Sequence, residues 1–469
     1  MKQFKLLLAA ILCSTVLSSF SQTTILAKVD ERVELLSIVF RLAGANEYSK
    51  TFVQKYGIEI DNYFSRYKGD DLILFTQKII SKNKVGYDAV MSLALHISIQ
   101  NGNISLNQHL DNQGIDKRWG TNVDNYISLL NVFYNKSKFS QFYGEHKDLY
   151  AATEKKFKKN ISHIDFGWYK DFYGEDSKDS FKIVLILAAG ESNYGQKIKN
   201  LTGQEELYSI LCTWETDSLG VPEYDLNEVL PTTIHEYNHS YCNPLIDKYF
   251  SQLDNSANKC FKLVKNQMEY QAYGESIIMV YESFVRATSI MYFKNHGTSE
   301  KEIKQQIRRE QINGFIWSEE LVNLLSTYED ERLKYSSLDS YMPNIVEKLN
   351  SLDNKKLFSD AHCIGNSAII NCSIQNNAND IDTEIKEIKL YFNTPMSGGL
   401  GYNYGKGGKG RYPEVTSVKW NNAEHTELLI SIVMKPDKLY HIEFPAKFNL
   451  DENYCEMSKS YTLSFKTRK

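Results

Sequence analysis

Thirteen residues, T-T-I-H-E-Y-N-H-S-Y-C-N-P (232–244), restrict this chain more than any other stretch. They contain His235, Glu236 and His239 in the pattern H-E-x-x-H. Residues four apart share one face of a helix, so a helix here aims both imidazoles at one point, where a metal ion can be held. Glu236 sits beside that face, within reach of a water on the metal. Histidine is scarce, with 10 in 469 residues, so chance alone gives this pattern in roughly one such chain in a hundred. A rival explanation is local: Thr233 and Glu236, three apart just after Pro231, also fit a capping box at the start of a surface helix.

A catalytic zinc takes three protein ligands and leaves one position open. Two histidines are therefore not enough. His96, His109, His163, His362 and His441 lie in unrelated segments, and no H-E-x-x-H-x-x-G-x-x-H continuation follows. A carboxylate on a later helix is the other solution, and Gln267 to Phe293 offers Glu269, Glu275 and Glu282. Glu282 is the first choice. It stands inside I-I-M-V-Y-E-S-F-V-R-A, where an ionised carboxylate is costly unless paired or bound to a metal. Arg286, four residues on, shares its helical face and can hold the carboxylate from behind. A plain Glu–Arg helix pair, worth only ~0.2–0.5 kcal/mol, is the bland alternative. Glu275, next to Gly274 near the helix start, is second choice, since the helix dipole favours a negative charge there anyway.

The expected chemistry is peptide-bond hydrolysis. Zinc polarises the scissile carbonyl and lowers the pKa of a water, and Glu236 acts as general base. Tyr273, Tyr281, Tyr292 and Arg286 are the candidates for stabilising the oxyanion, with Arg286 and Tyr292 preferred. The alternative from another class is an exported, catalytically inactive binding or scaffold protein.

The N-terminus reads as an export signal, residues 1–21: Lys2 and Lys5, a mostly apolar run from Leu6 to Leu17, then small Ser19 and Ser21 before Gln22. That run is too short for the ~20 residues of a spanning helix, so the expected product is exported to the periplasm, cell surface or exterior. Six cysteines would remain, enough for disulfides in an oxidising compartment. A formal net charge of -4 without a basic stripe argues against nucleic acid as a partner.

Mainly helices are expected to about Asn160, beginning with V-D-E-R-V-E-L-L-S-I-V-F-R-L-A-G and its terminal Gly44. The basic run Lys155–Lys159 reads as the solvated end of such a helix. F-K-I-V-L-I-L-A-A (181–189) and E-L-Y-S-I-L-C-T-W (206–214) read as buried strands, the second forming a sheet edge on which a peptide could lie. Helices resume to Leu349. From Phe358 short alternating runs such as E-I-K-L-Y-F-N and E-L-L-I-S-I-V-M suggest a β-sandwich, with the boundary at 352/353. Gly398 to Gly410 lacks the G-K-[ST] ending of a phosphate loop and is expected to be a long flexible hairpin.

Four of these stretches carry a resemblance: V-D-E-R-V-E-L-L-S-I-V-F-R-L-A-G, H-E-Y-N-H-S-Y-C-N-P, Y-E-S-F-V-R-A and Y-S-S-L-D-S-Y-M-P. Together they resemble an exported bacterial family, the domain of unknown function DUF4932, predicted to be gluzincin-like zinc peptidases. The resemblance implies an α+β chain, with a mainly helical zincin-like domain over residues 22–352. It also implies His235, His239 and Glu282 as zinc ligands and Glu236 as general base. The 43 residues between His239 and Glu282 exceed the gap in thermolysin-like enzymes. Residues 353–469, with N-T-P-M in their second strand, resemble bacterial Ig-like modules of cell-surface proteins, so attachment to a cell surface is an expectation of the resemblance. The expected partner is a peptide or protein substrate, without a transmembrane span.

Overall fold

Asp30 opens the first helix, Glu31–Ala43, by accepting a hydrogen bond from the Arg32 amide, and Gly44 closes it at φ 86°. The helix is buried on almost every side. A computed structural model describes residues 27–174, 180–190 and 192–469; the export signal expected at 1–21 lies outside these residues. Strand Ala27–Val29, just before the helix, pairs in parallel with Ser180–Ile186, about 150 residues away.

That pairing begins a four-stranded sheet in the order Ala27–Val29, Ser180–Ile186, Glu205–Cys212, Tyr194–Lys199. The first three strands run parallel and the last antiparallel. Both expected strands are present and adjacent, but Glu205–Cys212 is interior rather than the edge. The edge is Y-G-Q-K-I-K (194–199), whose polar residues hide a strand that buries only its two ends of the alternation, Tyr194 and Ile198. Glu34 ties the first helix to this sheet. Its fully buried carboxylate accepts hydrogen bonds from the Leu187 amide (2.8 Å), the Ala188 amide (3.3 Å) and the Tyr56 hydroxyl (2.8 Å).

The pattern H-E-Y-N-H lies within one long helix, Leu226–Tyr270, which at 1.5 Å per residue extends ~68 Å. Asp225 caps it by accepting from the Asn227 amide. The capping-box alternative therefore fails. The helix begins two turns before Thr233, whose buried hydroxyl donates instead to the Val229 carbonyl. Pro231 and Pro244 lie inside the helix, each removing the donor for the carbonyl four residues back. A short turn leads into helix Ser276–Asn295, which returns antiparallel. Asn238 donates to Ser289 and Tyr281 to Asp247, partners that run in opposite directions. Helices Glu300–Ile312, Ser318–Asp330, Leu338–Ser351 and Asn354–Ala361 complete this part.

A second hydrophobic core follows. A four-stranded antiparallel sheet (Glu414–Trp420, Glu427–Val433, Glu387–Phe392, Ile369–Cys372) contributes Ile388, Leu390, Ile430 and Ile432. A three-stranded sheet (Ala378–Ile381, Tyr461–Thr467, Leu439–Phe444) contributes Ile442, Phe444, Leu463 and Phe465 to the same core. The first core runs on through Ala361, so the helix Asn354–Ala361 belongs with the helical part and the change falls later than 352/353. Cys363 and Cys455 form a disulfide just past that change, while Cys242 and Cys260 are buried thiols. The glycine-rich loop is not a free hairpin. Asn403 pairs with Glu443 through both backbone hydrogen bonds, 2.9 and 2.8 Å, and covers the outer edge of the three-stranded sheet. Gly405, at φ 46°, packs directly on the Glu443 side chain.

Candidate metal centre

His235 and His239 project from one face of the long helix, one turn apart, toward helix Ser276–Asn295. Their Nε2 atoms are 3.2 Å apart. Glu282 meets them from the facing helix, with Oε2 3.5 Å from His235 Nε2 and Oε1 3.5 Å from His239 Nε2. A tetrahedral zinc with ~2.05 Å bonds separates neighbouring ligand atoms by about 3.3 Å, so these distances suit one such ion. The donor chemistry fits as well, two imidazoles and a carboxylate being an established catalytic set. Among the described residues this is the one group of histidine, cysteine and acidic side chains placed to share a metal.

The surroundings agree with the charge state a metal needs. Burial, resisted by Glu282 and reinforced by His239 and Arg286, pushes His235 down to about 3, so its imidazole is neutral at physiological pH. Burial would raise Glu282, but with His235 neutral the Arg286 guanidinium and the Tyr273 hydroxyl still hold the carboxyl below its ordinary range. Glu282 Oε2 is buried and accepts no well-aligned hydrogen bond from the protein, its nearest polar neighbours being Arg286 Nη2 at 3.4 Å and His235 Nε2 at 3.5 Å. Asn243, one turn past His239, adjoins its Nδ1 at 3.2 Å through Oδ1. As acceptor, Asn243 fixes the proton on Nδ1 and leaves the Nε2 lone pair facing Glu282.

Glu236 is 6% exposed, and its carboxyl lies against the backbone amide of Gly195. Burial, then the nearby Glu282, pushes it well above the ordinary carboxylate range, while Arg286 and the Gly195 amide pull it back. Gly195 belongs to the edge strand Tyr194–Lys199. A Cβ there would collide with the Glu236 carbonyl and sit 2.9 Å from His239 Cβ. Only glycine lets the strand lie this close to the metal-facing turn. Neither Gly195 nor Asn243 was singled out from sequence; G-Q-K inside a polar run and N-P after a histidine motif carry no distinctive signal.

Of the sequence candidates, Glu282 alone completes the cluster. Glu275 is exposed at the N-cap of its helix, and Glu269 is exposed beside Lys265. Arg286 is in place, with Nη2 3.4 Å from Glu282 Oε2 and Nη1 3.0 Å from Glu310 Oε2. Tyr273, in the turn between the two helices, faces both Glu282 and Arg286. The expectation for Tyr292 is overturned. It lies ten residues past Glu282, about 15 Å along the helix, where its hydroxyl accepts from the Asp165 amide at 2.7 Å. Tyr281 donates to Asp247 instead. A cavity of about 630 Å³ lies elsewhere, lined by Tyr56, Tyr63, Phe142 and His146 and by no residue of the cluster.

Comparison with known proteins adds a family and little more. The profile of DUF4932, a domain of unknown function, matches residues 25–348. No curated protein matches. One solved chain that does match, surface layer protein SbsC, domains 1-6, is 12% identical, with a TM-score of 0.16. The match covers 55% of this chain and 35% of that one, so this chain spans about a third of its length, and the likeness carries no argument about fold.

Proposed function

The chain belongs to the DUF4932 family, a domain of unknown function, and from the geometry of its site we propose that it is an exported zinc-dependent metallopeptidase of gluzincin type. One observation carries this: His235, His239 and Glu282 converge at 3.2–3.5 Å beside a buried Glu236. Zinc bound there supplies a Lewis acid that polarises a scissile carbonyl and lowers the pKa of a water.

The residues divide the remaining work. Asn243 keeps His239 in the tautomer that presents Nε2. Glu236, next in sequence to His235 and buried beside the cluster, would take a proton from the attacking water and pass it to the departing amine. Arg286 and Tyr273, beside Glu282, are the cationic and hydroxyl donors close enough to serve the developing oxyanion. The edge strand Tyr194–Lys199, which lies against Glu236 and His239 through Gly195, offers backbone groups to an extended peptide. The substrate class is therefore peptide or protein.

Export fits a Cys363–Cys455 disulfide, and no helix among the described residues is long and apolar enough to cross a membrane. We propose further that the C-terminal part, two sheets sharing one hydrophobic core, is an Ig-like module that serves surface attachment.

Hydrolysis of an unfolded protein by the zinc-loaded chain tests the proposal. Wild type should cleave it, and Glu236→Gln should lose roughly 10²–10⁴-fold in rate while keeping its zinc. Wild type that binds zinc but cleaves nothing in a broad peptide library would turn the reading into the inactive scaffold.

A further inference from the structure

Arg286 is an awkward neighbour for a metal. Its guanidinium is 3.4 Å from Glu282, the third ligand, and carries a full positive charge one helical turn from where a dication would sit. A cation this close draws on the same carboxylate as the metal and repels the metal directly. Yet the side chain is held there deliberately. Its Cζ lies 4.3 Å from the centroid of the Phe315 ring, and its Nη1 is 3.0 Å from Glu310 Oε2, a shorter contact than the one to Glu282. Both carboxylates are largely buried, with side-chain exposures of 9% for Glu282 and 16% for Glu310.

Glu310 comes from neither of the helices that hold the ligands. It sits on helix Glu300–Ile312, within K-E-I-K-Q-Q-I-R-R-E. That helix is anchored to the C-terminal part: Lys301 pairs with Glu452 at 2.7 Å, and Arg309 donates to the Tyr454 hydroxyl at 2.6 Å. Glu310 is therefore fixed in place rather than free to follow Arg286.

We propose that Glu310 is a positioning residue that sets the metal affinity of the His235–His239–Glu282 site by holding and neutralising Arg286. The inference rests on the metal-site reading above. With Glu310 ionised, the guanidinium is shared between two carboxylates, and the relay Glu310–Arg286–Glu282 carries a net charge of about -1 toward an incoming cation. Without it, Arg286 turns its whole charge on Glu282 and becomes a competitor for the ligand. Arg286 thus orients Glu282 in the presence of Glu310 and opposes the metal in its absence.

The test is zinc affinity of the full chain, measured by competition with a chromophoric chelator, alongside thermal melting of the zinc-free proteins. Glu310→Gln, nearly isosteric, should weaken zinc binding by about 10- to 100-fold with only a small change in the zinc-free melt. Adding Arg286→Gln to Glu310→Gln should recover most of that loss, because the competing cation is gone. A purely structural role predicts the opposite, a double variant no tighter than the single one. Should Glu310→Gln fail to fold, Glu310→Asp is read in the same titration and should lose several-fold. Glu310 variants that bind zinc as wild type does, or a double variant weaker than Glu310→Gln, would overturn the inference. Wild type that binds no zinc would instead sink the metal site itself.

Discussion

Glu34 is a carboxylate buried in the first turn of the first helix, and its cost should be measurable. Burial, against hydrogen bonds from the Leu187 amide, the Tyr56 hydroxyl and the Ala188 amide, pushes it up to about 7 from an ordinary 4.5. Folding therefore favours the protonated form. The stability this confers is complete below about pH 4.5 and declines as the pH rises through 7, above which the fold carries the full cost of the buried charge. The gap corresponds to about 3 kcal/mol between the two limits. Glu34→Gln stays neutral throughout, and its amide oxygen can still accept from Leu187. The Tyr56 hydroxyl, 2.7 Å from that of Tyr150, can turn its proton to Tyr150 and accept from the new amide. Urea unfolding of the zinc-free protein at pH 5 and pH 8, for wild type and variant, isolates the effect, since every other titrating group cancels in the double difference. Wild type should lose about 2.5 kcal/mol more than the variant between the two pH values. Parallel pH profiles, differing by less than about 1 kcal/mol, would refute the argument that this carboxylate is both buried and unneutralised.

Gly195→Ala should cost roughly 1–3 kcal/mol, because the new methyl meets the Glu236 carbonyl and His239 Cβ, and zinc affinity should fall with it. A melting curve and a zinc titration check both, and an alanine variant that behaves as wild type would mean the strand is not seated on the metal-facing turn. Replacing Cys363 and Cys455 together by serine opens a loop of 92 residues, which should destabilise the C-terminal part by up to about 4 kcal/mol in the chain-entropy account while leaving zinc stoichiometry unchanged. Calorimetry of the double variant reads the first and metal analysis the second.

The placing of His235 and His239 on one helical face was legible because it is local: two imidazoles and a carboxylate at helical spacing need no distant partner to be recognised. Glu282 was legible for a related reason, an acid stranded in I-I-M-V-Y-E-S-F-V-R-A, where only a cation or a metal explains it. The buried strands 180–186 and 205–212 announced themselves through continuous apolar runs. The edge strand Y-G-Q-K-I-K did not, since an edge packed against a helix on one side tolerates the polar residues that mask its alternation. Tyr292 was misplaced because helical periodicity gives the face of a residue and not its distance from the site; ten residues of rise carry it to Asp165. Glu310 was hidden for the converse reason. K-E-I-K-Q-Q-I-R-R-E looks like a solvated face, and only the packing of a third helix reveals that its last glutamate turns inward to Arg286. The glycine-rich loop misled in the same way, its glycines serving close packing on Glu443 rather than mobility.

Metal content is the measurement nearest to the central claim. The full chain, dialysed against metal-free buffer and analysed by elemental mass spectrometry, should retain about one zinc per molecule, and His239→Ala and Glu282→Ala should each retain almost none. Wild type without zinc, or a His239→Ala variant that keeps it, would contradict the account.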